Sequence, residues 1–281
     1  MPETINSITI VPSTFFLVSM ENSARKCHSF TPISKQKIGE DFPFTLAAPS
    51  FVIPAGAAEN ARFLADFFSE IGLLFFETEA CLKYSEADLP PDLASLPISW
   101  HVHLPLDLPW DKGIAAVWDI LSKLLDKAAF LSPRTWVLHP PTQPNLLVPL
   151  ADRFRAYGLD PIDILLENVE ETNLAALWPE ARSAGYSTCL DLGHIMAYNQ
   201  YPLLELDGLW ESTRMLHIYA PIHGSRHTGL THLDEEGKAL LRLMLSKFRG
   251  DTVTLEVFDE TEIFQSIETL IRWMSQWSTQ N

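Results

Sequence analysis

From Phe42 onward, short runs of apolar and β-branched residues alternate with polar turns and with segments whose apolar positions recur at helical spacing. Alternation of this kind predicts a parallel sheet with helical crossovers. Eight strands are expected, near Phe44–Leu46, Ile71–Phe76, Ser99–Leu104, Thr135–Leu138, Asp163–Leu166, Ser187–Leu190, Arg214–Ile218 and Thr252–Val257. Eight is the number that closes a (β/α)8 TIM barrel. Amphipathic helices are expected over Glu59–Ile71, through Ala61, Leu64, Ala65 and Phe68, and over Gly113–Phe130, through Ile114, Val117, Ile120, Leu121, Leu124 and Leu125. A third, Leu233–Phe248, opens on Asp234 and Glu235 and closes on Lys247 and Arg249, matching the helix dipole. Glu260–Trp277 forms the last. Between the second and third strands, Leu89-Pro90-Pro91 and Pro97 leave room for little more than one helical turn, so that crossover is expected to be degenerate. No linker divides 42–281, which reads as a single barrel domain, with 1–41 as a loosely ordered N-terminal extension.

Composition narrows the function. The chain has 281 residues, 47% of them hydrophobic, and a formal charge of −16. The length and hydrophobic content suffice for one large core. The acidity disfavours nucleic acid as a partner, because binding to phosphate backbones draws on a basic face. Cys27, Cys81 and Cys189 are odd in number and lack CxxC spacing, which argues against a disulfide framework or a thiolate metal site and for a reducing, cytoplasmic setting. No run approaches the length of a membrane span. The apolar stretch Ile8–Met20 is broken by Pro12, Ser13 and Thr14 and lacks the preceding basic residue of a secretory signal.

The polar residues that end the strands are the candidate chemistry. Glu77 follows the second, His101 and His103 the third, His139 the fourth, Glu167 the fifth, Asp191 the sixth, His217 the seventh and Glu256 the eighth. In a barrel, such carboxyl-end positions converge on one mouth. Mixed imidazole and carboxylate ligands suit zinc, manganese or iron, whereas all-oxygen sites suit magnesium or calcium. With His194 and His227 following the strands, the set exceeds the needs of one tetrahedral ion, so two or three ions are expected. Coincidence at the same point of successive repeats lifts His103, His139, Glu167, Asp191, His217 and Glu256 above ordinary salt-bridge or core roles. Glu77, His101, His223 and His232 lack that support. Asp107 serves equally as the partner of a ligand imidazole or as a helix cap. Trp100, Trp110, Tyr198, Tyr201 and Tyr219 are placed near the expected mouth, or else in the core.

Glu167 in Leu166-Glu167-Asn168-Val169, Asp191 and His194 in an Asp-x-x-His element, His217, and Glu256 in Leu255-Glu256-Val257 together resemble the xylose-isomerase-like barrel superfamily over roughly Phe42 to Trp277. His103, His139 and the pair Arg226-His227 resemble its endonuclease IV branch. Ser225 stands where that branch places an Asp, which implies two ions firmly and a third, on His194 and His227, only weakly. The strings Pro49-Ser50-Phe51-Val52-Ile53-Pro54-Ala55, Glu59-Asn60-Ala61-Arg62-Phe63-Leu64-Ala65, Leu74-Phe75-Phe76-Glu77 and His101-Val102-His103-Leu104-Pro105-Leu106-Asp107-Leu108 resemble the cobamide-remodelling phosphodiesterases (CbiR).

That resemblance implies an enzyme that hydrolyses the nucleotide-loop phosphodiester of adenosylated cobamides with a metal-activated water. Its partner would be a small corrinoid substrate, without nucleic acid or membrane, and its oligomeric state is unassigned. The implied cofactors are two divalent transition-metal ions, zinc or manganese, with a weaker third. Glu167 would bridge, His103 and His139 would complete one ion, and Asp191, His217 and Glu256 the other. Glu167, Glu256 and Arg226 are the candidate catalytic groups. The alternatives are a metal-dependent sugar isomerase or epimerase on the same barrel, and a non-catalytic corrinoid- or metal-binding barrel.

Overall fold

A computed structural model describes residues 42–222 and 226–279, with the side chain of Arg226 left out. The N-terminal segment 1–41, with Cys27, and the loop holding His223 and Ser225 lie outside the described residues. Eight parallel strands close into a barrel: β1 (Thr45–Pro49), β2 (Glu70–Leu74), β3 (Ser99–His103), β4 (Trp136–Leu138), β5 (Ile164–Glu167), β6 (Ser187–Asp191), β7 (Thr213–Ile218) and, after a short hairpin, β10 (Thr252–Leu255). The hairpin pairs β8 (Ala220–Ile222) with β9 (Arg226–Thr228) antiparallel, an element the apolar pattern does not predict.

The helices clothe the barrel with one apolar face each. In α3 (Ile114–Ala128), Val117, Leu121, Leu124, Leu125 and Ala128 are buried at the i, i+4, i+7 spacing that turns one stripe inward. The carboxylates of Asp234 and Asp259 accept from Gly237 N and Glu262 N and so cap α8 (Glu235–Lys247) and α9 (Glu260–Ser278). Each such cap contributes about 1 kcal/mol. The crossover from β2 to β3 is degenerate as expected, with one short helix, α2 (Thr78–Leu82), and a 3-10 turn at Pro91–Ser95. The expected helix Glu59–Ile71 is corrected: α1 spans Ala57–Leu64, because Glu70 and Ile71 are taken by the ladder to β1 and β3. Among the described residues no helix is long and apolar enough to cross a membrane. Cys81 and Cys189 are free, buried thiols.

Strand alternation sorts the barrel interior into layers. Val137, Leu165, Cys189 and Met215 form an apolar layer, buried and separate from the large outer core between sheet and helices. Two residues further along each strand come His139, Glu167, Asp191 and His217. The apolar layer is therefore the floor beneath the polar groups.

On the β2–β3 side the interior holds a second polar pair. His101 Nδ1 lies 2.7 Å from Glu70 Oε1, and Ser99 Oγ donates to Glu70 Oε2 at 3.1 Å. Burial raises the Glu70 pKa, but the His101 hydrogen bond and charge outweigh it and the net shift is downward. A Cβ at Gly72 would stand 2.4 Å from His101 Nε2, so glycine makes room for the imidazole. His101 is thus a structural partner set below the mouth, not a member of the strand-end cluster. Replacing it by Leu leaves a buried carboxylate without its imidazole partner, which should cost about 3–5 kcal/mol. For a barrel of this size that corresponds to a drop of roughly 6–20 °C in unfolding midpoint. A calorimetric shift under about 2 °C would contradict this reading of the pair.

Candidate metal centre

The six strand-end residues do converge. Glu167, the last residue of β5, is 1% exposed and lies between two groups of side chains. Its Oε2 is 3.0 Å from His103 Nε2 and 3.1 Å from His139 Nε2. Its Oε1 is 3.1 Å from His217 Nδ1. One atom from each of Glu167, Asp191, His217 and Glu256 falls within 4.8 Å of the others. The same carboxylate therefore belongs to both groups.

Backbone carbonyls orient three of the imidazoles. Nδ1–H of His103 donates to Leu104 O at 2.9 Å, that of His194 to Asn168 O at 2.8 Å and that of His227 to Glu256 O at 3.0 Å. A ring that spends Nδ1–H on a carbonyl leaves Nε2 as the nitrogen that can hold a metal once its proton is lost. Asn168 also fixes the opening of α6 (Leu192–Ala197): its Oδ1 accepts from Asp191 N at 2.8 Å, and its Nδ2 donates to Asp191 O at 3.1 Å. Asp191 then caps that helix, accepting from His194 N at 2.6 Å. Asn168 directly follows Glu167 at a strand end, and that position is the one sequence signal that points to it.

Electrostatics separates the carboxylates. Burial, reinforced by Glu167 and Glu256, raises Asp191 to about 7 despite the opposing pull of His194 and His217. Burial acts the same way on Glu256 and Glu167, but neighbouring imidazoles outweigh it. Glu256 is lowered to about 2 by His217 and His227, and Glu167 is held well below the carboxylate range by His217, His103 and His139. Burial disfavours the His217 imidazolium, yet Cys189, Glu256 and Glu167 raise its pKa well above the ordinary value.

This donor set fits a cation. Asp191 Oδ2 and Glu256 Oε2 are buried and make no hydrogen bond to protein. Three carboxylates crowded out of water repel one another, and leaving them uncompensated is costly. A divalent ion among them offsets that cost, and mixed nitrogen and oxygen donors are those of zinc, manganese or iron.

A cavity of about 290 Å³ opens onto this cluster, bordered by His103, His139, Glu167, His194, His227 and Glu256. Its outer wall includes Phe76, Leu106, Tyr198 and Phe258, with Glu170 and Glu171. Comparison with known protein families and with curated proteins finds no match for the sequence. Solved structures do match the fold. A D-tagatose 3-epimerase-like protein aligns over 84% of this chain and 99% of its own, with a TM-score of 0.62 and 15% identity. The IolI protein with a bound zinc atom aligns over 84% and 97%, at 0.58 and 16%. A family 2 AP endonuclease from Brucella melitensis aligns over 81% and 98%, at 0.52 and 16%. The likeness is one of fold, a closed (β/α)8 TIM barrel.

Several residues singled out in the sequence fall outside this centre, among them Glu77 and His232, which the strand-end pattern does not support. Glu77 is exposed, and His232 faces Glu262 at 3.7 Å. Asp107 is a helix cap, accepting from Thr78 N and Thr78 Oγ1 at 2.7 Å, and does not hold a ligand imidazole. Of the five aromatics placed near the mouth, Tyr198 borders the cavity. Trp100 and Trp110 pack in the outer core, and Tyr201 bonds Glu236. Tyr219 is buried and stacks on His227 at 3.7 Å. Only glycine at 193 permits this, since a Cβ there would lie 2.1 Å from the tyrosine ring. His227 reaches the cluster on β9, but the Arg226 side chain and Ser225 lie outside what is described.

Proposed function

We propose that this chain is a metal-dependent phosphodiesterase, acting on the nucleotide-loop phosphodiester of an adenosylated cobamide. The observation that carries the reading is the double engagement of Glu167: two Nε2 atoms, from His103 and His139, meet one oxygen, while the other faces the Asp191, His217 and Glu256 group. A single-ion centre needs only that second group together with Glu167. The added imidazole pair supports a second ion alongside it. The substrate class rests on the resemblance of the loop strings after the first three strands to the cobamide-remodelling phosphodiesterases.

In this reading Glu167, His103 and His139 would hold one ion, and Glu167 with Asp191, His217 and Glu256 the other. Divalent ions held there would supply Lewis-acid stabilisation of phosphoryl charge and would acidify an attacking water. His194 and His227 border the cavity and would either hydrogen-bond a phosphoryl oxygen or form the weaker third site. Arg226 takes a phosphoryl oxygen through its planar fork. The net charge of −16 disfavours long polyanions and supports a small, discrete diester.

The second reading is a sugar isomerase or epimerase. The quartet Glu167, Asp191, His217 and Glu256 favours it, since on its own it would serve acid–base chemistry across a ketose. Metal-loaded protein incubated with adenosylcobalamin, an abasic-site duplex and a panel of ketoses separates the two. Cleavage of the corrinoid diester alone is expected; ketose isomerisation without diester cleavage would overturn the proposal.

A further inference from the structure

The mouth above the centre is two-sided. Around the closed barrel, β10, β1, β2 and β3 are consecutive neighbours, and β5 lies diametrically across from β1. The loops after β10, β1, β2 and β3 carry Phe258, Phe51, Phe76 and Leu106 in turn; the loop after β5 carries Glu170 and Glu171. The aromatic side is one continuous ladder of rings. His227 stacks on Phe258 at 5.0 Å, Phe258 meets Phe76 edge-on at 6.0 Å, and Phe76 meets Phe51 edge-on at 5.4 Å. Leu106 N donates to Phe76 O at 3.1 Å, and Leu106 lines the same cavity as Phe76 and Phe258. Phe51 is 48% and Leu106 51% exposed, large apolar groups presented to water at the rim of a polar site.

Phe51 is held there by a built loop. Asn60 on α1 is fully buried and accepts from Val52 N at 2.6 Å and Ile53 N at 2.9 Å, while its Nδ2 donates to the carbonyls of Ile53, Ala55 and Gly56. Five hydrogen bonds to one buried amide fix the backbone that follows Phe51. An exposed apolar patch kept in place next to a site marks a surface that something apolar covers.

We infer that Phe51, Phe76, Leu106 and Phe258 form a docking wall for a broad, flat, apolar part of the substrate. The inference rests on the function proposed above and assigns the wall to the corrin ring. Size supports the division of labour: about 290 Å³ accommodates a phosphodiester and its immediate substituents, at the low end for ligand pockets, so a macrocycle must lie across the rim.

The test is a Phe51→Ala/Leu106→Ala double variant, with Leu243→Ala as a control at an exposed apolar position on α8. Binding of dicyanocobinamide, which has the corrin ring without a nucleotide loop, is followed by equilibrium dialysis. The double variant should bind at least about tenfold more weakly, the scale of a lost apolar hot spot, and the control should match wild type. KM for adenosylcobalamin should rise by a similar factor while kcat changes less. If wild type hydrolyses adenosylcobalamin and the double variant keeps the wild-type KM and cobinamide affinity, the wall assignment is wrong and the proposed function stands. Wild-type cobinamide binding that the double variant loses, without hydrolysis of any diester, would support the wall and remove the proposed function.

Discussion

Glu167→Gln is expected to lose metal and activity together. The substitution keeps size and shape but replaces one carboxylate, shared by both groups of donors, with a neutral amide. His103 and His139 then face an amide at about the distance where they met an anion, and the Asp191, His217 and Glu256 group loses its fourth member. Activity should fall by about 10³-fold or more, the scale at which a preorganised charged group in a water-poor site contributes. Bound metal should fall in parallel. The fold should persist, because the floor of Val137, Leu165, Cys189 and Met215 and the outer core are untouched. Circular dichroism and thermal unfolding separate loss of function from loss of structure. A folded variant with wild-type turnover would remove Glu167 from the mechanism.

Metal affinity is expected to fall steeply on acidification through pH 7. In the ion-free protein burial raises Asp191 to about 7, and His217, His103 and His194 are raised by the carboxylates around them despite burial. Each ligand must shed its proton before it can hold a cation. Protons and metal therefore compete: affinity is fullest above these pKa values and is lost as pH falls through them. With about two protons displaced, affinity should weaken by about 100-fold per pH unit between 7 and 6. The stability of the ion-free protein runs the other way. A carboxyl or imidazole whose folded pKa is raised binds more protons when folded than when unfolded, so each contributes stability at low pH that is lost as pH rises through its folded value. Zinc or manganese should thus raise the unfolding midpoint more at pH 8 than at pH 6. Calorimetric titrations at pH 6, 7 and 8 check both signs, and a flat affinity across that range would contradict the assignment.

Much of this was legible in the sequence, for a physical reason. A parallel barrel repeats strand and crossover, so its hydrophobic rhythm is strong, and polar residues that break each strand at the same point stand out. The positions of Glu167, Asp191 and His217 as successive strand ends follow from that rhythm alone. Roles that depend on partners distant in the chain were not legible. Glu70 reads as the end of a helix until the β1–β2–β3 ladder pairs it beside His101. Asp107 reads equally as a metal partner or a cap until Thr78 is placed against it. Phe51 and Leu106 stand far apart in the sequence, and only the order of strands around the barrel sets them on one arc. The hairpin that brings His227 to the centre has strands of three residues, too short for alternation to register.

The central claim is that these buried carboxylates and imidazoles form a two-ion centre built around Glu167. Metal content per chain, measured by mass spectrometry after saturation with zinc or manganese and exhaustive dialysis, tests it most directly. About two tightly held ions are expected in the wild-type protein, with at least one lost on Glu167→Gln. Wild-type protein that retains no divalent ion above pH 7 would contradict it.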